Sequence, residues 1–173
     1  GDYTHTVLTT KYREHCEMWA SATDADPFAV SGNFQNMSTY YLYEVFAKNG
    51  PGAGASMSGS RQGDSHSHTA PAATVRIAMY AMAKRYRDGT AQWLAKQIDT
   101  QGLGYILSYD LWKLIVEYDP TVSAQAPTNM PLSWHFQTMG TVYMRSGWDY
   151  SEGSTDVYAV FRCEKYPAGH THA

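Results

Sequence analysis

Thr141-Val142-Tyr143-Met144-Arg145 and Val157-Tyr158-Ala159-Val160-Phe161-Arg162 are the stretches on which the fold turns. Both are rich in β-branched and aromatic side chains, which pack well on a pleated surface, and turn-forming Ser146-Gly147 and Glu152-Gly153 lie between them. They predict two hairpin strands. Immediately upstream, Pro127 and Pro131 interrupt any regular element, and before Pro120 the pattern changes to helical. The fold class expected is therefore α+β, with a helical part over residues 1–125, a β part over 126–173, and the boundary between Thr121 and Pro131.

Working back through the helical part, Asp119-Pro120 closes a helix from Tyr109 to Glu117, which Ser108 is placed to cap. A shorter helix covers Ala91 to Ile98. Before it, Pro71 suits the first turn of a helix carrying Val75, Met79, Met82 and Tyr86, which Asp88-Gly89 ends. A helix from Asn36 to Ala47 has Met37, Tyr40, Tyr41 and Phe46 as its apolar positions and stops at Lys48-Asn49-Gly50-Pro51. From Thr6 to Ala22, Leu8, Tyr12, His15, Cys16 and Trp19 recur at helical spacing, so one stripe is expected to be buried. Half of the residues from Lys48 to Ser67 are Gly or Ser, which lose much entropy on ordering, so this segment reads as a surface loop or linker.

Length leaves the domain count open, because 173 residues suit one domain or parts of two. The 43% apolar and 17% charged content is that of a globular chain, and no apolar run approaches the roughly 20 residues of a membrane span. A net charge of -3 argues against a general nucleic-acid binder, which needs a basic excess to displace counterions from phosphates, and confines any polyanion binding to a local patch. Cys16 and Cys163 are the only cysteines, too few for a disulfide framework or a four-thiolate zinc site. The 14 Tyr and 5 Trp fit either a sugar-binding cleft, whose rings offer flat apolar faces and a polar tip, or a Tyr-rich core. With no initiator Met and an end at Gly169-His170-Thr171-His172-Ala173, the sequence reads as an internal piece of a longer protein.

Among residues suited to chemistry, His170-x-His172 follows a strand and a Pro167-Ala168-Gly169 turn. Two residues apart in a strand they would share a face and one metal; in a looser turn they would diverge and serve separate purposes, or simply form an exposed pair. His66-Ser67-His68 stands before a helix, where it would bind metal or substrate, or where Asp64, Ser67 and Thr69 would act as helix caps. Tyr3 and His5 carry no meaning by spacing. A nucleophile elbow, a phosphate-binding loop and a dinucleotide fingerprint are absent, which disfavours acyl transfer, nucleotide hydrolysis and hydride transfer.

Pro131-Leu132-Ser133-Trp134-His135-Phe136, with Gly140-Thr141-Val142-Tyr143-Met144-Arg145-Ser146-Gly147-Trp148-Asp149, resembles the entry into the β-sheet domain of heparinase II/III-type polysaccharide lyases. Gly169-His170-Thr171-His172-Ala173 is similar to the Gly-His-x-His segment of that family, and Gly63-Asp64-Ser65 with Trp93-Leu94-Ala95 is similar to the last helical hairpins of its toroid. The resemblance implies an α/α toroid followed by an antiparallel β-sandwich. It implies cleavage of a uronic-acid polysaccharide, such as heparin or heparan sulfate, by β-elimination. A base takes the C5 proton, the adjacent carboxylate is neutralised, and an acid protonates the departing 4-oxygen.

Carried over by residue, the resemblance makes His170 the catalytic histidine and His172 a ligand of a structural zinc whose other ligands lie outside this chain. Tyr3 becomes the remnant of the catalytic tyrosine, with Tyr40 and Tyr43 as fallbacks or else packing residues. His135 and Arg145 are the expected substrate contacts. Secretion or a periplasmic location follows from the substrate class, and a homodimer is a further expectation. Two readings compete: a uronyl C5-epimerase, which abstracts the same proton and returns it to the other face, and a non-catalytic carbohydrate-binding or structural protein. A generic metal-binding module is disfavoured because no third ligand stands at a useful spacing.

Overall fold

The structure is a computed structural model and describes residues 12–30, 32–47, 57–59, 72–100 and 111–163. In those residues the chain forms six α-helices, a two-stranded pair and a three-stranded antiparallel sheet, an α+β arrangement. The helices are α1 (Arg13–Ala22), α2 (Pro27–Val30), α3 (Asn33–Glu44), α4 (Ala72–Tyr86), α5 (Gly89–Thr100) and α6 (Leu111–Glu117). The paired strands are β1 (Val45–Phe46) and β2 (Ser58–Gly59), and the sheet runs β3 (Ser133–Phe136), β4 (Thr141–Arg145), β5 (Tyr158–Arg162) in that order.

Helix α4 is the centre of the helical part. Every residue from Val75 to Ala83 is buried, the mark of a helix surrounded on all sides. It packs against α3, α5 and α6. Its one deeply buried cation, Arg76, donates to Asp99 of α5 at 2.6 Å, and the Tyr80 hydroxyl donates to the other oxygen of the same carboxylate. A buried charge needs such a partner, because desolvation would otherwise cost several kcal/mol.

The turn between α4 and α5 shows how its sequence works. Arg87 takes the left-handed conformation, φ 56°, that ends a helix. Asp88 then caps α5, accepting from the backbone N–H of Thr90 at 2.9 Å and of Ala91 at 3.1 Å. Ser38 of α3 donates to the second Asp88 oxygen at 2.6 Å, tying the cap to a third helix. Gly89 is needed for close approach: a Cβ there would lie 2.7 Å from the Ser123 carbonyl oxygen.

Several expectations are corrected. In α1 only Arg13 and Cys16 are buried, whereas Tyr12, His15 and Trp19 of the expected stripe are exposed. The buried face is organised by Arg13, which donates to Glu17 at 2.5 Å and to Glu117 of α6 at 2.9 Å. Helix α6 has no buried residue despite its apolar composition; Lys113–Glu14 and Arg13–Glu117 ion pairs hold it to α1. The segment read as one loop after Lys48 contains β2 beside the buried Met57, because Val45 and Phe46 leave α3 as an extended pair that accepts a strand.

The sheet has one strand more than the two expected. Trp134 pairs with Tyr143 and Phe136 with Thr141, and the hairpin is closed by a 3-10 turn, Gln137–Met139, with Gly140 left-handed at φ 61°. Along β4 burial alternates: Thr141, Tyr143 and Arg145 face inward, the period of two that a one-sided sheet requires. That inward face rests on α3. Tyr43 donates to the Pro131 carbonyl at 2.5 Å, and Tyr158 to the Glu44 carbonyl at 3.1 Å. One hydrophobic cluster consequently contains Leu42 of α3, Met79 of α4, Leu94 of α5 and Tyr143 and Tyr150 of the β part.

Candidate functional site

Where α3 meets the edge strand β3, the two elements leave a cleft of about 710 Å³, within the roughly 300–1,000 Å³ of small-ligand pockets. Helical spacing builds one wall. Asn33, Asn36, Met37 and Tyr40 recur at three- and four-residue intervals, so amide, thioether and phenol line one side of α3. The opposite wall is Trp134 to Phe136 of β3, continued by Gln137, Thr138 and Met139 of the 3-10 turn. Tyr12 also lines the cleft, stacked on Phe34 with ring centroids 5.4 Å apart and planes 12° from parallel.

The rings hold one another at edge-to-face geometry, which suits their quadrupoles. Tyr40 meets Phe136 at 5.5 Å and Tyr143 at 6.0 Å, while Tyr43 lies behind Trp134 at 5.8 Å. Trp134 keeps 39% of its surface exposed and Tyr12 53%, so both leave aromatic surface open to solvent. Strand alternation puts Trp134 and Phe136 on the side of Tyr143, towards α3. His135 is on the other side of the pleat and borders the cleft at its rim, exposed.

Arg145 lies elsewhere. It is 9% exposed and its guanidinium donates to the Leu42 carbonyl at 2.8 Å, to the Val45 carbonyl at 3.2 Å and to the Tyr150 hydroxyl. Trp148 and Tyr150 cover it, with its Cζ 4.5 Å and 4.7 Å from their ring centroids. The cation satisfies carbonyls at the C-terminus of α3, where the helix dipole favours positive charge. It binds β4 to α3 and is not among the residues lining the cleft.

No family model matches the chain, and no curated protein or solved structure matches it.

Of the two fallback tyrosines, Tyr40 borders the cleft and Tyr43 does not. Tyr43 is wholly buried, and burial pushes its hydroxyl up to about 12, against 10.0 ordinarily. It stays protonated and serves as a donor to Pro131. Tyr3, His5, His66, His68, His170 and His172 lie outside the described residues; of the expected site residues that are described, His135 and the fallback Tyr40 come to the cleft. Among the described residues no group of three or more His, Cys, Asp or Glu could hold a metal ion, and the zinc expectation rests on His172 alone. Cys16 is buried and Cys163 exposed, both as free thiols. The residues that sequence reasoning missed are Asn33, Asn36 and Gln137; the first two carried a signal, three residues apart on the same helical face as Tyr40.

Proposed function

We propose that the protein acts on a uronic-acid-containing polysaccharide as a lyase of the heparinase II/III type, within an α/α toroid followed by an antiparallel β-sandwich. The observation that carries the carbohydrate reading is the cleft between α3 and β3, where exposed ring faces stand beside side-chain amides and hydroxyls. Sugars are bound by that combination, since their C–H faces stack on rings while their hydroxyls need donors and acceptors. The elimination rests on the resemblance of Pro131 to Asp149 and of Gly169 to Ala173.

In this reading His170 and Tyr3 divide the work of removing the C5 proton and protonating the leaving 4-oxygen. His135, at the rim of the cleft, contacts the substrate. Arg145 ties β4 to the C-terminal end of α3, away from the substrate. His172 would ligate a structural zinc together with residues outside this chain. A secreted or periplasmic location and a homodimer belong to the same proposal. No helix among the described residues is long and apolar enough to cross a membrane.

A second reading, a carbohydrate-binding protein without elimination, is favoured by one feature: among the described residues lining the cleft there is no carboxylate, ammonium or guanidinium. Offering heparin, heparan sulfate, chondroitin, hyaluronan and alginate to wild type and His170→Ala separates the alternatives. Elimination creates an unsaturated uronate that absorbs in the ultraviolet, and the rise is expected with wild type and lost in the variant. No rise with any polymer removes the lyase reading; a uronyl epimerase is then detected by solvent deuterium entering C5 without the chromophore.

A further inference from the structure

We infer that the cleft between α3 and β3 is a subsite for uncharged pyranose units, seating a neutral sugar of the polymer rather than its carboxylate or sulfate; this deepens the carbohydrate reading and rests on it. The first ground is charge. Among the described residues that line the cleft none is Asp, Glu, Lys or Arg, and His135 is the one of them able to become cationic. A sulfate or carboxylate taken from water into such a cleft would lose its hydration without gaining the charge-assisted hydrogen bonds that compensate for it.

The second ground is shape and donor set. Trp134 of the β3 wall and Tyr12 both line the cleft and remain partly exposed. Asn33 and Asn36 on α3 and Gln137 after β3 are exposed and each offers both donor and acceptor, as a sugar ring bearing hydroxyl or acetamido groups requires. The third ground is rigidity. Tyr40 and Phe136, which line the cleft, and Tyr143 behind them meet edge to face, so the platform exists before a ligand arrives and little ordering cost is incurred on binding.

The test is a calorimetric titration of the 173-residue chain with fully N-acetylated chitotriose, an uncharged trisaccharide, and with a sulfated heparin hexasaccharide, at low and high salt. Chitotriose is expected to bind, with an affinity indifferent to salt because no counterions are released. Trp134→Ala and Asn36→Ala are expected to weaken it by about tenfold, with circular dichroism unchanged. Trp112→Ala, on α6 away from the cleft, is expected to leave it unaltered. Absence of chitotriose binding, binding that survives both cleft substitutions, or binding confined to heparin with steep salt dependence overturns the inference. Ultraviolet detection of elimination is a separate readout. A chain that binds chitotriose but yields no chromophore keeps this subsite and loses the lyase activity, and a chain with the chromophore but no such binding does the opposite.

Discussion

Arg145 illustrates how one residue type supports two opposite roles. A guanidinium on a strand beside a cleft would suit an acidic polymer, yet this one faces inward with Tyr143 and binds the carbonyls of Leu42 and Val45. Replacing it by Ala would strip those carbonyls of charged donors, and we expect a loss of about 3 kcal/mol in denaturant unfolding. Sugar binding per folded molecule should be unchanged; a variant of normal stability with lost binding would instead make Arg145 a ligand contact. Tyr43 makes a comparable case for pH. Its folded pKa, about 12, is above the ordinary 10.0, so between these values the folded state holds a proton that the unfolded state has released. Stability from this group is complete below pH 10, and is lost as pH rises towards 12. Alkaline unfolding curves should therefore fall less steeply in Tyr43→Phe than in wild type, and parallel curves would contradict the assignment.

At the scale of elements, the turn after α4 joins three things that act together. Arg87 stops one helix, Asp88 starts the next and Gly89 lets residues 123–125 lie against it, where the Gln125 N–H donates to the Gly89 carbonyl at 2.9 Å. Gly89→Ala would press a methyl group against the backbone oxygen of Ser123, which has no side-chain freedom to move away. We expect about 1–3 kcal/mol of destabilisation, the range for overpacking, measured by chemical denaturation. The reading of Asp88-Gly89 as a helix terminator is thus correct in place, although the cap serves the helix that follows. Strand β3 lay outside the two strands expected because Ser133-Trp134-His135-Phe136, although it alternates polar with apolar residues, is a short run directly after the Pro127 and Pro131 breakers. Its existence is what gives the cleft a second wall.

Across the whole molecule, helices and sheet share a hydrophobic cluster, with Tyr143 wholly buried against Tyr40 and Phe136. Tyr143→Ala would leave a cavity beneath both, and a cost of about 3–5 kcal/mol is expected, as for other large aromatics. Because the contact joins the two parts, far- and near-ultraviolet circular dichroism should report the same lowered midpoint; separate transitions would mean that the parts fold independently. The sequence by itself determined the element types: apolar spacing marks the helices from Asn36, Pro71 and Ala91, and β-branched and aromatic runs mark β4 and β5, since these signals are local and follow from backbone geometry. Which way a side chain faces was decided only in the tertiary structure. Arg145 turned inward, Trp19 outward, and Asn33, Asn36, Trp134 and Gln137 came to one cleft from positions about a hundred residues apart, because long-range packing of α3 on β3 has no counterpart in local spacing.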